Sequence, residues 1–178
     1  MIETNDLKRI PYGVADFNDF RASNYYYVDK TRYIAAIENK GRYLFLIRPR
    51  RFGKSLFLGI MEAYYDIALK DRFDYFFSGT EIHARPTPER NSYLVFKLNF
   101  SAVSPNIALV EGAFLTRIKN AAHFFVSKYQ EYLDLDIKEA KAEFNAKKSA
   151  SEVMDTLLNY CLGKKQKRKH CPREKSKP

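Results

Sequence analysis

The run Tyr43-Leu44-Phe45-Leu46-Ile47 passes directly into Arg48-Pro49-Arg50-Arg51-Phe52-Gly53-Lys54-Ser55, after which Leu56, Phe57, Ile60, Met61, Tyr64 and Ala68 recur at helical spacing. A short apolar run ahead of a turn reads as a buried strand, and the later spacing reads as one face of a helix. The chain is thereby constrained to a strand, a tight loop and a helix in succession. Such a junction suits an anion, because main-chain N–H groups of the turn and of the first helical turn point at phosphate oxygens and the helix dipole adds partial positive charge. In the pattern G-x-x-x-x-G-K-[ST], Gly53 lets the chain curl closely, Lys54 reaches the β- and γ-phosphates, and the Ser55 hydroxyl holds Mg²⁺. The place of the first glycine is taken by Arg48, and Pro49 has no N–H to donate. A competing reading is a plain strand-to-helix turn in which Lys54 is merely solvated.

Four phrases occur in one order: Ile10 to Val14, Tyr27-Val28-Asp29-Lys30-Thr31, Arg48 to Leu56, and Tyr93 to Phe100. Together they resemble the N-terminal module of the AAA-ATPase-like family, over about residues 8 to 162, with Arg48 to Ser55 as the most specific phrase. Members of that bacterial and archaeal family often carry a restriction-endonuclease-like domain toward the C-terminus. The resemblance implies an α/β fold of the partial P-loop NTPase (AAA-like) kind, with parallel strands flanked by helices in an incomplete sheet. It also implies ATP and Mg²⁺ as cofactors. Nucleotide contacts are then expected from Arg48, Arg50, Arg51, Phe52, Gly53, Lys54, Ser55 and Leu56, with Ser55 on the metal and Asp29 as a secondary candidate. Arg50 and Arg51 add charge-assisted contacts to phosphate in that reading, and are otherwise surface charges. Arg48 becomes the family's own variation on the Walker A loop.

A chain of 178 residues, 46% hydrophobic and 15% aromatic, can bury a substantial core. No apolar stretch approaches a membrane span, and Glu3 and Asp6 stand where a secretory signal needs an apolar core, so a cytoplasmic protein is expected. Cys161 and Cys171 match no zinc spacing and read as reduced thiols. The net charge of +10 is concentrated in the tail: from Lys164 onward eight cations face Glu174 alone. We expect one module over residues 1–163 and a basic, disordered tail over 164–178. A nucleic-acid contact through that tail would be non-specific and salt-sensitive.

The segment to Tyr26 is mixed and turn-rich, and Tyr25-Tyr26-Tyr27-Val28 reads as a short extended stretch, after which a helix is expected. Asp29 or Thr31 can cap a helix carrying Tyr33, Ile34 and Ile37 and ending near Gly41. Phe73, Tyr75, Phe76 and Phe77 read as core before a turn at Gly79, and Tyr93 to Phe100 reads as a second strand of a covered parallel sheet. Ser104 and Pro105 open a long helix whose buried face is Ile107, Val110, Phe114, Ile118, Ala121, Phe125 and Tyr129, with His123 solvated. Two further helices follow: one uses Ile137, Ala140, Lys141 and Phe144. The other opens on a Ser149-x-x-Glu152 capping box ahead of Val153, Met154, Leu157, Leu158, Cys161 and Leu162.

Phosphoryl transfer also needs an acid that holds Mg²⁺ and positions the attacking water. Tyr93 to Phe100 contains none, and Leu133 to Asp136 is too polar and lies between helices. In the family such a strand is expected after Leu162 and Gly163, where the lysine-rich tail stands, so a missing C-terminal portion and poor stability are expected. The leading reading is an ATP-binding P-loop module, a fragment unable to hydrolyse ATP alone. The alternatives are a nucleic-acid-binding or protein-interaction module with a vestigial nucleotide loop, and a remnant with no activity of its own.

Overall fold

The structure is a computed structural model that describes residues 8–23, 25–41, 43–47, 49–100 and 107–169, the side chains of 107, 108 and 164–169 excepted. The chain forms two compact units, residues 1–95 and 96–178.

In the first unit, α1 (Phe17–Ala22) starts where the Asp16 carboxylate accepts from the N–H groups of Asn18 at 2.7 Å and Asp19 at 3.1 Å. Helices α2 (Arg32–Glu38), α3 (Lys54–Tyr65), α4 (Phe73–Phe77) and α5 (Glu81–Ala84) follow, with a 3₁₀ segment over Ile67–Arg72. The spacing of Ile60, Ala63 and Tyr64 turns one face of α3 inward, where it meets Phe17 and Phe20 of α1 and the Phe73, Phe76 and Phe77 cluster of α4. Phe17 stacks on Phe76 with centroids 5.6 Å apart, and Tyr64 meets Phe77 edge-on at 5.6 Å, geometries that add about 0.5–1.5 kcal/mol per pair to simple burial. The aromatic cluster is therefore core, with Tyr75 on its exposed side. Arg21 ties α1 to the end of α4 by donating to the carbonyls of Tyr75 and Ser78. Beyond α5, Asn91 takes a left-handed conformation (φ +48°), donating its N–H to the Tyr64 carbonyl and its side-chain amide to the Asp66 carbonyl, which clips this segment onto the end of α3.

The distance between α1 and α3 is set by Gly59. A Cβ at that position would lie 3.3 Å from the Phe17 Cβ and 3.6 Å from its backbone nitrogen, groups that cannot rotate aside. Gly59→Ala should lower the stability of this unit by on the order of 1 kcal/mol, because overpacking costs about 1–3 kcal/mol and improved helix propensity returns at most about 1. A lower urea midpoint checks this, and a raised midpoint would mean that α1 yields.

The parallel sheet expected from the sequence is not present. Among the described residues there is no strand, and the bridges Arg9 with Tyr25 and Asp66 with Tyr93 are isolated. A strand exists only through main-chain bonds to a neighbour. Residues 43–47 have no ladder, and Tyr43, Phe45 and Ile47 are 88, 90 and 91% exposed. Tyr93 pairs only locally, its N–H donating to the Tyr65 carbonyl and its carbonyl accepting from Ile67. The α/β expectation, a partial P-loop NTPase (AAA-like) fold on an incomplete sheet, is thus corrected to a helical architecture.

The second unit is built on α6 (Ile107–Lys128), followed by α7 (Gln130–Leu133), α8 (Ile137–Ala146) and α9 (Ala150–Lys169). Ile118, Ala122, Phe125 and Val126 of α6 and Tyr129 just beyond it are buried, as are Ala140 and Phe144 of α8 and Val153 and Leu157 of α9. The buried stripe begins at Ile118, so Val110 and Phe114 stay partly exposed, contrary to the expected face. His123 is not solvated as expected: it lies against Phe144 with ring centroids 6.0 Å apart, and burial pushes its pKa down. Asp136 caps α8 through Lys138 and Glu139. The capping box of α9 forms, with Glu152 N–H donating to Ser149 Oγ at 3.3 Å and the Glu152 carboxylate accepting from Lys148 N–H at 2.9 Å. Ser104 and Pro105 lie outside the described residues, as do the tail beyond Lys169 and Cys171, while Cys161 is a free thiol whose pKa burial raises.

Candidate functional site

The loop ahead of α3 turns sharply because two of its residues are left-handed: Arg51 at φ +66° and Gly53 at φ +72°, ψ +25°. Arg51 bears the cost of a Cβ in that region, whereas Gly53 does not. Gly53 is the N-cap of α3, and its carbonyl accepts the Phe57 N–H at 2.9 Å, the first bond of the helix. No side chain caps this end, and its first turn holds no acid. The positive end of a 12-residue helix is therefore not neutralised by a carboxylate of its own. Where a Cβ on Gly53 would sit, nothing lies within 4 Å, so the space beside the backbone is open.

A cleft of about 550 Å³ opens at this loop. One side is Arg51 with residues 53–56, the other is the loop of residues 11–15, and Phe20 also lines it. Small-molecule sites run to about 300–1,000 Å³, so the volume suffices for a nucleotide. Among the described residues, its lining carries the cationic side chains Arg51 and Lys54 and no carboxylate.

Of the residues singled out in the sequence, Arg51, Gly53, Lys54, Ser55 and Leu56 converge on this cleft. Arg50 and Phe52 are exposed in the same loop but are not among its lining residues, and Arg48 lies outside the described residues. Asp29 is engaged elsewhere. One carboxylate oxygen accepts from Thr31 N–H and the other from Glu81 N–H, both at 2.8 Å, and Thr31 Oγ1 accepts from Ile82 N–H at 3.2 Å. Those bonds fasten the start of α5 to the segment before α2; the expected side-chain cap of α2 itself does not form, since its N-cap Thr31 makes no capping bond and both side chains serve α5 instead.

The loop of residues 11–15 carried no chemical signal by composition. Its position follows from three anchors: Tyr26 N–H donates to the Arg9 carbonyl at 2.9 Å, Val14 packs against the core, and Asp16 caps α1, which in turn sits on α3 through Gly59. A second cavity, about 240 Å³, lies between α2 and the side chains of Leu46 and Phe57 and is mainly apolar, with Lys30 and Lys40 among its lining residues. No helix among the described residues is long and apolar enough to cross a membrane.

A family model described as Predicted AAA-ATPase matches residues 11–169. Over 52 residues the chain is 50% identical to an uncharacterized protein in the vnfD 5′ region of Azotobacter chroococcum mcd 1; the match takes in 29% of this chain and 10% of that protein. The chain thus spans about a tenth of the length of that curated relative. No solved structure matches.

Proposed function

The chain belongs to the predicted AAA-ATPase family, and on that premise we propose that it is a nucleotide-binding module which holds the triphosphate of Mg·ATP at the loop before α3 and the first turn of that helix. The observation that carries this reading is the convergence, in one cleft, of a left-handed Gly53, a helix start without a side-chain cap, and the cations Arg51 and Lys54. Each property favours an anion for its own reason: aligned N–H groups, open space beside the backbone, and positive charge.

The residues present fit the ligand. Main-chain N–H groups of residues 54–56 would donate to phosphate oxygens, Lys54 would supply a point charge, and Arg51 would add a charge-assisted bond. When bound, Mg²⁺ would supply neutralisation of the phosphate charge. Ser55 would offer it one hydroxyl, which accords with the habit of Mg²⁺ of taking few protein ligands and keeping water. The proposed activity is the binding of Mg·ATP; an acid that orients an attacking water is not among the described residues that line the cleft.

Amide hydrogen exchange tests the location. Mg·ATP should slow exchange across residues 52–57 and leave α8 unchanged, since only the former donates to the ligand. Slowing confined to other segments, or none at saturating ATP, would place the nucleotide elsewhere or remove it from the account.

A further inference from the structure

We propose that the loop of residues 11–15 is the base-side wall of this cleft and that Tyr12 is the side chain on which the base of a nucleotide stacks. The proposal rests on the phosphate reading of the opposite wall.

The cleft is chemically two-sided. Pro11, Val14, Ala15 and Phe20 supply an apolar lining beside Tyr12, while Arg51 and Lys54 supply the charge across from them. Inorganic phosphate would use only the cationic side. A nucleoside triphosphate has the same division within one molecule, an aromatic base at one end and anionic oxygens at the other.

Tyr12 is presented, not packed. It is 87% exposed, although the chain on either side of it is held: the Arg9 carbonyl is bonded by Tyr26, Val14 lies against the core, and Phe20 is 3% exposed. Pro11 fixes its own φ ahead of Tyr12, and Gly13 follows at φ +72°, a conformation that side-chain-bearing residues rarely adopt. This pair forms a turn that stands the ring at the cleft, where an exposed aromatic has no packing role to explain it. A base laid on the ring would cover apolar surface on both partners, and a stack of this kind accepts any base because each has a π-face.

Calorimetric titration of the full chain with ATP and, separately, with inorganic tripolyphosphate distinguishes the two walls. Tyr12→Ala and Tyr12→Leu should weaken ATP binding roughly 5- to 150-fold, the range of one base–aromatic stack. Tyr12→Phe should hold ATP within about threefold, and tripolyphosphate affinity should stay the same in every Tyr12 variant. Because the side chain is exposed, unfolding transitions of these variants should match that of the unsubstituted chain. Unchanged ATP affinity in Tyr12→Ala, or an equal loss for both ligands, would overturn the assignment. Failure of the phosphate reading looks different: Lys54→Ala would then leave tripolyphosphate affinity untouched.

Discussion

Tyr64→Ala is expected to destabilise the first unit by about 3–5 kcal/mol, the usual range for deleting a fully buried large aromatic side chain. Tyr64 is 0% exposed and meets Phe77 at 5.6 Å, Phe73 at 6.1 Å and Tyr65 at 5.2 Å between ring centroids. Truncation therefore opens a cavity where α3, α4 and the edge-on aromatic contacts meet. The hydroxyl adds a polar role. It accepts the Thr87 N–H at 2.7 Å and lies 2.9 Å from Thr87 Oγ1, which donates to Glu38 at 2.8 Å; Tyr65 donates to the same carboxylate oxygen at 3.1 Å. Tyr64→Phe keeps the ring but removes that acceptor, so it should cost about 1–2 kcal/mol. Urea unfolding of both variants checks the order. An alanine variant with the native midpoint would mean that this ring does not organise the unit.

Helices α2, α3, α6, α8 and α9 were legible because their apolar residues repeat every three or four positions, whereas the short α1, α4, α5 and α7 span too few turns to show that repeat. Ile60 and Tyr64 of α3, Ala140 and Phe144 of α8 and the Ser149–Glu152 box appear where the spacing put them, although α3 ends at Tyr65, short of Ala68. The stripe of α6 was legible only in its second half, from Ile118, since periodicity tells which residues share a face but not how far along the helix a partner covers it. Strands fail for a related reason. Apolar composition at Tyr43 to Ile47 states a local preference, whereas a ladder requires a neighbouring segment, and that neighbour is not encoded in the run itself.

The site divides in the same manner. Gly53, Lys54 and Ser55 form a contiguous pattern with a known chemical reason and could be read directly. The loop of residues 11–15 reaches the cleft only through tertiary contacts, chiefly the close approach that Gly59 permits between α1 and α3. Asp29 shows the opposite case: a carboxylate in a suggestive phrase whose two oxygens serve helix starts.

The second large effect is expected at Lys54. A cation in the first turn of a helix opposes the dipole, an arrangement that disfavours the helix by about 0.3–1 kcal/mol. Lys54→Ala removes that opposition and introduces the best helix former, both of which favour the helix itself. Affinity should move the other way. Losing a hydrogen bond to a charged oxygen costs about 1.5–3 kcal/mol, or roughly 10- to 150-fold in Kd for Mg·ATP. A variant that binds Mg·ATP as tightly as the unsubstituted chain would contradict this.

The most direct measurement is therefore the unfolding temperature of the full chain and of Lys54→Ala across a titration of Mg·ATP. Ligand that binds the folded state alone stabilises it by about 2.7 kcal/mol at a hundred times Kd. The account predicts a rise that continues with the logarithm of ATP concentration in the native chain, displaced to at least tenfold higher concentration in Lys54→Ala. No rise in the native chain, or superimposed curves for the two proteins, would contradict it.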